Sequence, residues 1–427
     1  MATLDLLKGM KVIDMASFVA APICAKILAD YGADVIRVEA LKGDDKCREV
    51  GMRVLNMDNG DTTFHDVLNG NKRNLAVNTR TPEGLAILKK LLETADVFVT
   101  HLREKDRKKL GLDWDTLHAI NPGLIVGNVT GYGTEGPYAA RGGLDSCAYV
   151  TRAGVNHGAM PVDSRPYSPY PGQGDIPTGT YLAMGIIAAY VKKLRTGIGD
   201  NVYAHLYGAG IWSGVTPIIS AQEPYNKQWP EEPTACISAL NYAYVTKDKK
   251  WVTLFCNGWT KPWTAFVKAA GLDESLIEKY PDWQVAYVKK DEMIELVGAW
   301  VAEHDYAEID ELFDKIDIPH DVCLSFREIV DDPVALEAGF LQEICNPVSG
   351  CTVKIPRSPV TFQLAGRPDT EISVFPGHDS MEIMKEYGYS DEEIKDLAEK
   401  KIIGLGDTYS NAYLITRPMK DGKLIEK

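Results

Sequence analysis

The 427-residue sequence has no Cys-x-x-Cys pair among its eight cysteines, and its eight histidines do not gather at metal-ligand spacing. A zinc site or a dithiol redox centre is therefore not indicated, and reduced, mostly buried thiols are expected. There is no Gly-x-Ser-x-Gly elbow and no Gly-x-Gly-x-x-Gly after the first strand-like run, so serine hydrolysis and nicotinamide binding lack their usual supports. Positive charge is also short: 46 Lys and Arg stand against 60 Asp and Glu, a net charge of −14. Such a surface repels phosphate backbones and anionic lipid, so neither nucleic acid nor membrane is expected as a partner. Apolar runs such as Leu182 to Val191 are too short to cross a bilayer. The opening MATLDLLKGMKVIDM lacks the regions of a signal peptide, and a cytoplasmic location is expected. Without an export signal, the glycosylation-like Asn128-Val129-Thr130 reads as a chance match. Internal repeats and low-complexity segments are absent.

What is present is a folded-protein composition, 45% hydrophobic and 25% charged, on a chain long enough for two domains. Strand-like runs at Lys11 to Met15, Asp34 to Glu39, Asn74 to Asn78, Val97 to Thr100 and Leu124 to Val129 alternate with helical patterns at Pro22 to Tyr31 and Thr81 to Glu93. Thr81 is placed to cap the second helix, with Pro82 and Glu83 in its opening turn. This alternation predicts an α/β fold with a largely parallel sheet covered on both faces. From Tyr138 to Pro177 the pattern breaks into a Gly-, Pro- and Ser-containing stretch read as a functional loop region. A helix over Thr178 to Leu194 and a strand over Asn201 to His205 follow. The segment from about Gln222 to Ile318 reads as a second region that opens with loops rich in Pro, Asn and Trp and contains a hairpin, Ala243 to Thr246 and Trp251 to Phe255, with helices after it. Short helices are expected at Ser380 to Tyr387 and Asp391 to Lys400.

Within the loop region, Pro171-Gly172-Gln173-Gly174-Asp175 sets a carboxylate behind two conformationally free glycines. That suits a nucleophile, but an Asp in this setting also serves as a turn residue or as the cap of the following helix. Gly131-Tyr132-Gly133, after a strand, is either a ligand loop at the carboxyl edge of the sheet or a plain turn. The run Arg103 to Lys109, with five cations and two anions, reads as a solvated helix face that could also meet phosphates.

Taken together, MKVIDMASFVAAPICAKILADYGADVIRVEALKGDD, GNKRNLAVNTRTPEG, LGLDWDTLHAINPGLIVGNVTGYGTEGPYAARGGLD, PGQGDIPTG, RTGIGDNVYAHLYGAG, IDIPHDVCLSFREIVDDPVALEAG and FPGHDSMEIMKEYGYSDEEI resemble, in order, the segments of the family III CoA-transferases, also called the CaiB/BaiF family. The resemblance implies a Rossmann-like large domain formed by residues 1–205 together with a return segment, 325–427, and a smaller α+β domain, 222–318, inserted between them. Two chains are then expected to interlock as a homodimer. It places the catalytic aspartate at Asp175 and implies CoA transfer through mixed-anhydride and aspartyl-CoA thioester intermediates, with coenzyme A entering as acyl-CoA substrate and no permanently bound cofactor or metal. Asp175 is expected to be ionised at neutral pH, needing no general base.

Nucleotide contacts implied by the resemblance fall on Val19, Ala20, Ala40, Val77, Arg80, His101, Leu102, Lys109 and Thr130. Ala40, the His101 to Lys105 segment and Thr130 depart from the commoner family residues, so Arg37, Lys42, Arg80, Arg103 and Lys109 are expected to carry nucleotide affinity. Tyr132 is expected to face the acyl group, and N–H groups of Gly172 to Gly174, or of the Gly258 region, to meet the thioester oxygen. Racemases of the same fold need a histidine where this chain has Leu144. Similarity to the branch that activates 2-hydroxy acids, including cinnamoyl-CoA:phenyllactate and 2-hydroxyisocaproate enzymes, implies an enoyl-CoA or acyl-CoA donor, a 2-hydroxy acid acceptor and a fermentative link to a 2-hydroxyacyl-CoA dehydratase. Formyl/oxalate, carnitine and bile-acid transfer, and a non-catalytic CoA-binding subunit, are the alternatives.

Overall fold

The computed structural model describes residues 3–43, 45–48, 62–231, 236–346, 350–372 and 375–406, with two short backbone strands at 419–420 and 423–424. Asp44 of the Gly-Asp pair and residues 407–418 of the expected return segment lie outside the described residues. The chain folds as two compact units: Met1–Met160, Arg165–Trp229 and Glu337–Lys427 form one, and Pro161–Ser164 with Pro230–Leu336 form the other.

In the first unit a strand and helix alternate: β1 (Lys11–Met15), α1 (Ala20–Asp30), β2 (Asp34–Glu39), α2 (Thr63–Leu68), β3 (Arg73–Val77), α3 (Pro82–Thr94), β4 (Val97–Thr100), α4 (Glu104–Leu110), α5 (Trp114–Ile120) and β5 (Ile125–Thr130). A π-helix (Ser146–Arg152), α6 (Val155–Ala159), α7 (Asp175–Thr196), β6 (Asn201–His205), α8 (Leu206–Ser213) and α9 (Val215–Ser220) follow. The expected parallel sheet is present. Its strand order is β3-β2-β1-β4-β5-β6, all parallel, and a two-residue strand at Ile403–Gly404 pairs antiparallel with the outer edge of β3.

Alternation along the strands explains the layers. Ile13, Ile36, Phe98 and Val126 point into a core with Leu88, Leu91 and Leu92 of α3, while Val12, Val35, Val97 and Ile125 point into a second core with Leu28 of α1 and Leu182 and Ile186 of α7. Strands covered on both faces read as near-continuous apolar runs, and these do. Thr81 caps α3 as expected, accepting from the Gly84 N–H at 3.1 Å with Pro82 in the first turn. Because β1 leads out to β2 and β3 on one side and β4 lies on the other, the order reverses between β1 and β4, the position where open α/β sheets receive ligands.

The stretch expected as loop is more ordered than its composition implies. Asp145 caps the π-helix, whose Ala148, Tyr149 and Val150 are buried. The following helix, α7, begins at Asp175 and not at Thr178: Gly172 and Gly174 supply the carbonyls that receive the Ile176 and Thr178 N–H groups at 3.0 and 3.2 Å.

The second unit is built on a three-stranded antiparallel sheet of Ala243–Val245, Trp251–Leu254 and His320–Val322, the first two forming the expected hairpin. Its core is aromatic, with Trp259 and Trp263 stacked at 5.0 Å and Phe266, Trp300 and Phe313 beside them. Gly258, exposed and at φ +112°, precedes that core.

Candidate active site

Asp175 occupies the first position of the 22-residue α7, next to its Gly174 cap. Two glycines make this possible for different reasons. Gly172 has φ +87°, a left-handed conformation that side chains resist. Gly174 lies so close to Tyr149 that an added Cβ would sit 2.5 Å from that side chain. The Tyr149 ring is itself held, its hydroxyl 2.8 Å from the Ser213 hydroxyl of α8.

The bend is fastened from the other side by Asp145. Its Oδ2 accepts from the Gly172 N–H at 3.1 Å and the Gly174 N–H at 3.3 Å, while Oδ1 accepts from the Ser146 N–H at 2.6 Å. Those two glycine N–H groups, expected to face a thioester oxygen, are thus already donated. The Asp175 carboxylate, by contrast, has no hydrogen-bond donor or cation as partner among the described residues. Burial, and then the charge of Asp145, push its pKa up to about 7, well above the ordinary carboxylate range. The expectation of a fully ionised Asp175 at neutral pH is therefore corrected: in the free protein it titrates there.

At the sheet's switch point a second set of residues forms a turn. Phe18 stands at φ +68°, a conformation that a bulky residue adopts only when its surroundings impose it. Asp45 accepts from the Phe18 N–H at 3.1 Å and from the Ser17 hydroxyl at 2.9 Å, and His101, at the end of β4, accepts the Ser17 N–H at its Nδ1 at 3.1 Å. Val19 and Ala20, expected to meet the nucleotide, follow this turn and are buried.

Beneath it lies a buried cage of charge. Arg37, only 2% exposed, reaches Asp45 at 2.5 Å, Glu39 at 3.6 Å and Asp14 at 3.7 Å. Arg48 binds Glu39 at 3.1 Å and Asp66 at 3.3 Å, and Lys72 binds Asp14 at 2.8 Å. Arg37, expected to carry nucleotide affinity, instead spends its charge inside the protein. Burial alone would raise Glu39 and Asp45, but the arginines overcome it and both carboxyls lie below their ordinary values.

The remaining expected contacts scatter by depth. Val77 is buried, Ala40 and Leu102 are half-buried, and Lys42, Arg80, His101, Arg103 and Lys109 are exposed. The solvated face expected over Arg103 to Lys109 has one exception: Arg107 is 1% exposed and donates to Glu104 and, at 3.3 Å, to the Tyr203 hydroxyl. Thr130, 2.7 Å from His205 Nδ1, accepts the Gly133 N–H at 3.2 Å and so fixes the Gly131 to Gly133 turn. Burial lowers the pKa of His205, which favours the neutral imidazole. Tyr132 meets Tyr138 edge-on at 5.5 Å, and Arg141 and Arg152 stack on the tyrosines around it. Among the described residues, no group of three or more His, Cys, Asp or Glu is arranged to hold a metal, and no helix is long and apolar enough to cross a membrane.

Sequence reasoning missed Asp145 as a partner of the Gly-Gln-Gly bend. The available signal was an Asp immediately before the run Ser146 to Val150, the pattern of a helix cap ahead of a buried face.

An open α/β sheet whose strand order reverses between β1 and β4, with a carboxylate unpartnered among the described residues at the head of α7, has the architecture of a ligand-binding protein of the Rossmann-like class. The chain belongs to CoA-transferase family III, whose model matches residues 7–371, and it is a CoA-transferase. It is 31% identical to the (R)-2-hydroxy-4-methylpentanoate CoA-transferase of Clostridioides difficile over 405 residues, 93% of this chain and 99% of that one. Identity to the cinnamoyl-CoA:phenyllactate CoA-transferase of Clostridium sporogenes is 28%, over 93% and 97% of the two chains. In structure it is similar to a CaiB/BaiF family protein from Brucella suis, with a TM-score of 0.76 at 24% identity, covering 89% of this chain and 99% of that one.

Proposed function

We propose that this enzyme moves coenzyme A from an acyl-CoA, in particular an enoyl-CoA, to a 2-hydroxy acid, with Asp175 as its covalent carrier. The observation that carries the reading is a carboxylate without partners among the described residues at the head of α7, held in place by a fastened glycine bend. The Asp175 carboxylate attacks the thioester carbonyl; an O–C bond forms, the C–S bond breaks and CoA thiolate leaves. The thiolate then attacks the Asp175 carbonyl of the mixed anhydride, expelling the donor acid and leaving an aspartyl-CoA thioester. The acceptor's carboxylate repeats the sequence in reverse, and Asp175 returns as a carboxylate. Acyl activation is conserved at every step and no proton is consumed.

The 2-hydroxy acid acceptor is supported by the names of the two relatives. Nucleotide contacts are proposed at Val19, Ala20, Ala40, Val77, Arg80, His101, Leu102, Lys109 and Thr130, around the Ser17–Phe18 turn, with Tyr132 toward the acyl group and Gly258 as a further N–H donor. A homodimer, interlocked as the family resemblance implies, is supported by the apolar surface on α7 to α9, where Met184, Leu194 and Trp212 are 65%, 68% and 71% exposed. A cytoplasmic, fermentative role beside a 2-hydroxyacyl-CoA dehydratase completes the reading.

The test is to incubate the purified protein with acyl-CoA donors and free acids and to follow new thioesters by mass spectrometry. Exchange with 2-hydroxy acids is expected in the wild type and in Asp163→Ala, and none in Asp175→Ala. Full exchange by Asp175→Ala sinks the covalent reading.

A further inference from the structure

Three observations around Asp175 have no role in carrying the acyl group itself. Asp145 accepts three backbone N–H donors, two of them from the glycines that shape the bend, and Asp175 accepts none among the described residues. Asp145 Oδ2 accepts the N–H of Gly174, the residue immediately before Asp175, which sets both carboxylates at the same bend, where the Asp145 charge acts on Asp175. Among the described residues, the hydrogen-bond partners of Asp145 are backbone N–H groups, and no cation is among the causes that act on Asp175. On α1, Lys26 and Asp30 are bonded to each other at 2.8 Å, and the buried Cys24 thiol is pushed far up and remains neutral. On β6, the lowered pKa of His205 favours its neutral form, and Arg152 of the π-helix stacks on Tyr138 and Tyr207.

We propose that Asp145 is a positioning residue that also acts electrostatically, its fixed charge favouring the acylated, uncharged forms of Asp175 over the free carboxylate. The proposal rests on Asp175 being the covalent carrier and deepens that reading. When the Asp175 oxygen bonds to the acyl carbon and the C–S bond breaks, the negative charge leaves on the CoA sulfur. When the thiolate then displaces the donor carboxylate, Asp175 remains uncharged as a thioester. Each covalent form removes one of two neighbouring like charges, which relieves repulsion in a half-buried site. Protonation of Asp175 removes the same charge. Acylation and protonation should therefore respond together when Asp145 changes, and by nearly the same factor. A carboxylate made more basic is also a stronger nucleophile, so forward attack gains as well.

The experiment compares Asp145→Asn, which keeps an oxygen for the two glycine N–H groups but removes the charge, with Asp145→Ala, which removes both. Full-length protein is mixed with acyl-CoA donor alone, and the Asp175 adduct is counted by intact-mass analysis after quenching and by borohydride trapping. The pH profile of kcat/KM is recorded in parallel. Asp145→Asn is expected to lower the acidic limb by about one pH unit and to lower the adduct-to-free ratio about tenfold, the two shifts matching in size. Its KM for acyl-CoA is expected to stay within about twofold of wild type, and its melting temperature unchanged or higher. Asp145→Ala is expected to lose kcat further, because the bend is released. An Asp145→Asn protein with wild-type adduct level and an unmoved acidic limb overturns the proposal, as does equal loss in the two variants with no movement of the limb. If wild-type protein yields no Asp175 adduct at all, the covalent-carrier reading has failed instead.

Discussion

Two acidic sites in the first unit, one buried and one half-buried, face opposite fates. In the cage under the Ser17–Phe18 turn, Asp45 and Glu39 lie against Arg37 and Arg48, and both carboxyls are held below their ordinary values. At the head of α7, the charge that acts on Asp175 is that of another carboxylate, and its pKa is raised to about 7. The cage carboxyls are the more deeply buried, yet theirs are the lowered values: burial raises both sets, the arginines offset it in the cage, and at Asp175 the charge of Asp145 adds to it. One arrangement uses carboxylates as fixed structural charge; the other leaves a carboxylate in an unfavourable state that covalent chemistry can relieve, the pairing of environments that separates roles in many active sites.

The sharpest way to break this contrast is to remove one charge from each site. Asp175→Asn is expected to reduce CoA exchange by about 10⁴-fold or more, the scale seen when a nucleophile is deleted. It should also raise thermal stability at pH 8. A carboxyl whose folded pKa exceeds its unfolded value contributes stability at low pH that is lost as pH rises through the folded value, so at pH 8 its ionisation costs the fold. Arg37→Met should do the opposite. It leaves Asp45, Glu39 and Asp14 short of a buried partner, at a cost of about 3–5 kcal/mol, measurable in urea unfolding. A stable Arg37→Met protein would dissolve the distinction between the sites.

The same contrast separates activity from folding along the pH axis. On the proposed mechanism the attacking form of Asp175 is its carboxylate, populated above a pKa pushed up to about 7. Between pH 8.5 and 5.5 the ionised fraction, and with it kcat/KM, should fall roughly 30-fold. The cage behaves otherwise. Lowered carboxyls contribute stability that is present above their unfolded values, near pH 4, and is lost as pH falls through the folded ones. From about pH 5 to 6 the enzyme should be nearly inactive, folded by circular dichroism, and fully active again on return to pH 8. Loss of folded signal in step with activity would contradict the assignment.

How far these sites were legible differs for a physical reason. The strands Lys11–Met15, Asp34–Glu39, Val97–Thr100 and Asn201–His205 agree with their expected limits; for the first three, burial on both faces writes itself into sequence as apolar runs. Asp175 stood out through its two glycines and the family resemblance. Its ionisation did not, since that depends first on burial and then on Asp145, 30 positions earlier in a stretch that composition marks as loop. The π-helix was missed because its i to i+5 spacing matches neither a helical nor a strand period. Arg37, expected to carry nucleotide affinity, lies buried among Asp45, Glu39 and Asp14. Its setting in Val35-Ile36-Arg37-Val38-Glu39 held a usable clue: charges at alternate positions of a strand buried on both faces share one face and must find partners within the protein.

The smallest expected effect tests whether the cage serves the nucleotide turn or merely lies below it. Ser17→Ala removes one hydroxyl bond to Asp45 and leaves the Phe18 N–H and Arg37 bonds to the same carboxylate in place. The loss is about 1 kcal/mol, the usual net worth of such a bond. If the turn cradles CoA, that weakening should appear as a two- to tenfold rise in KM for acyl-CoA with kcat nearly constant, because the left-handed Phe18 is then held less firmly in its binding geometry and Asp175 is untouched. If instead kcat falls and KM stays fixed, the turn is coupled to the reacting carboxylate, and the two acidic sites are not independent.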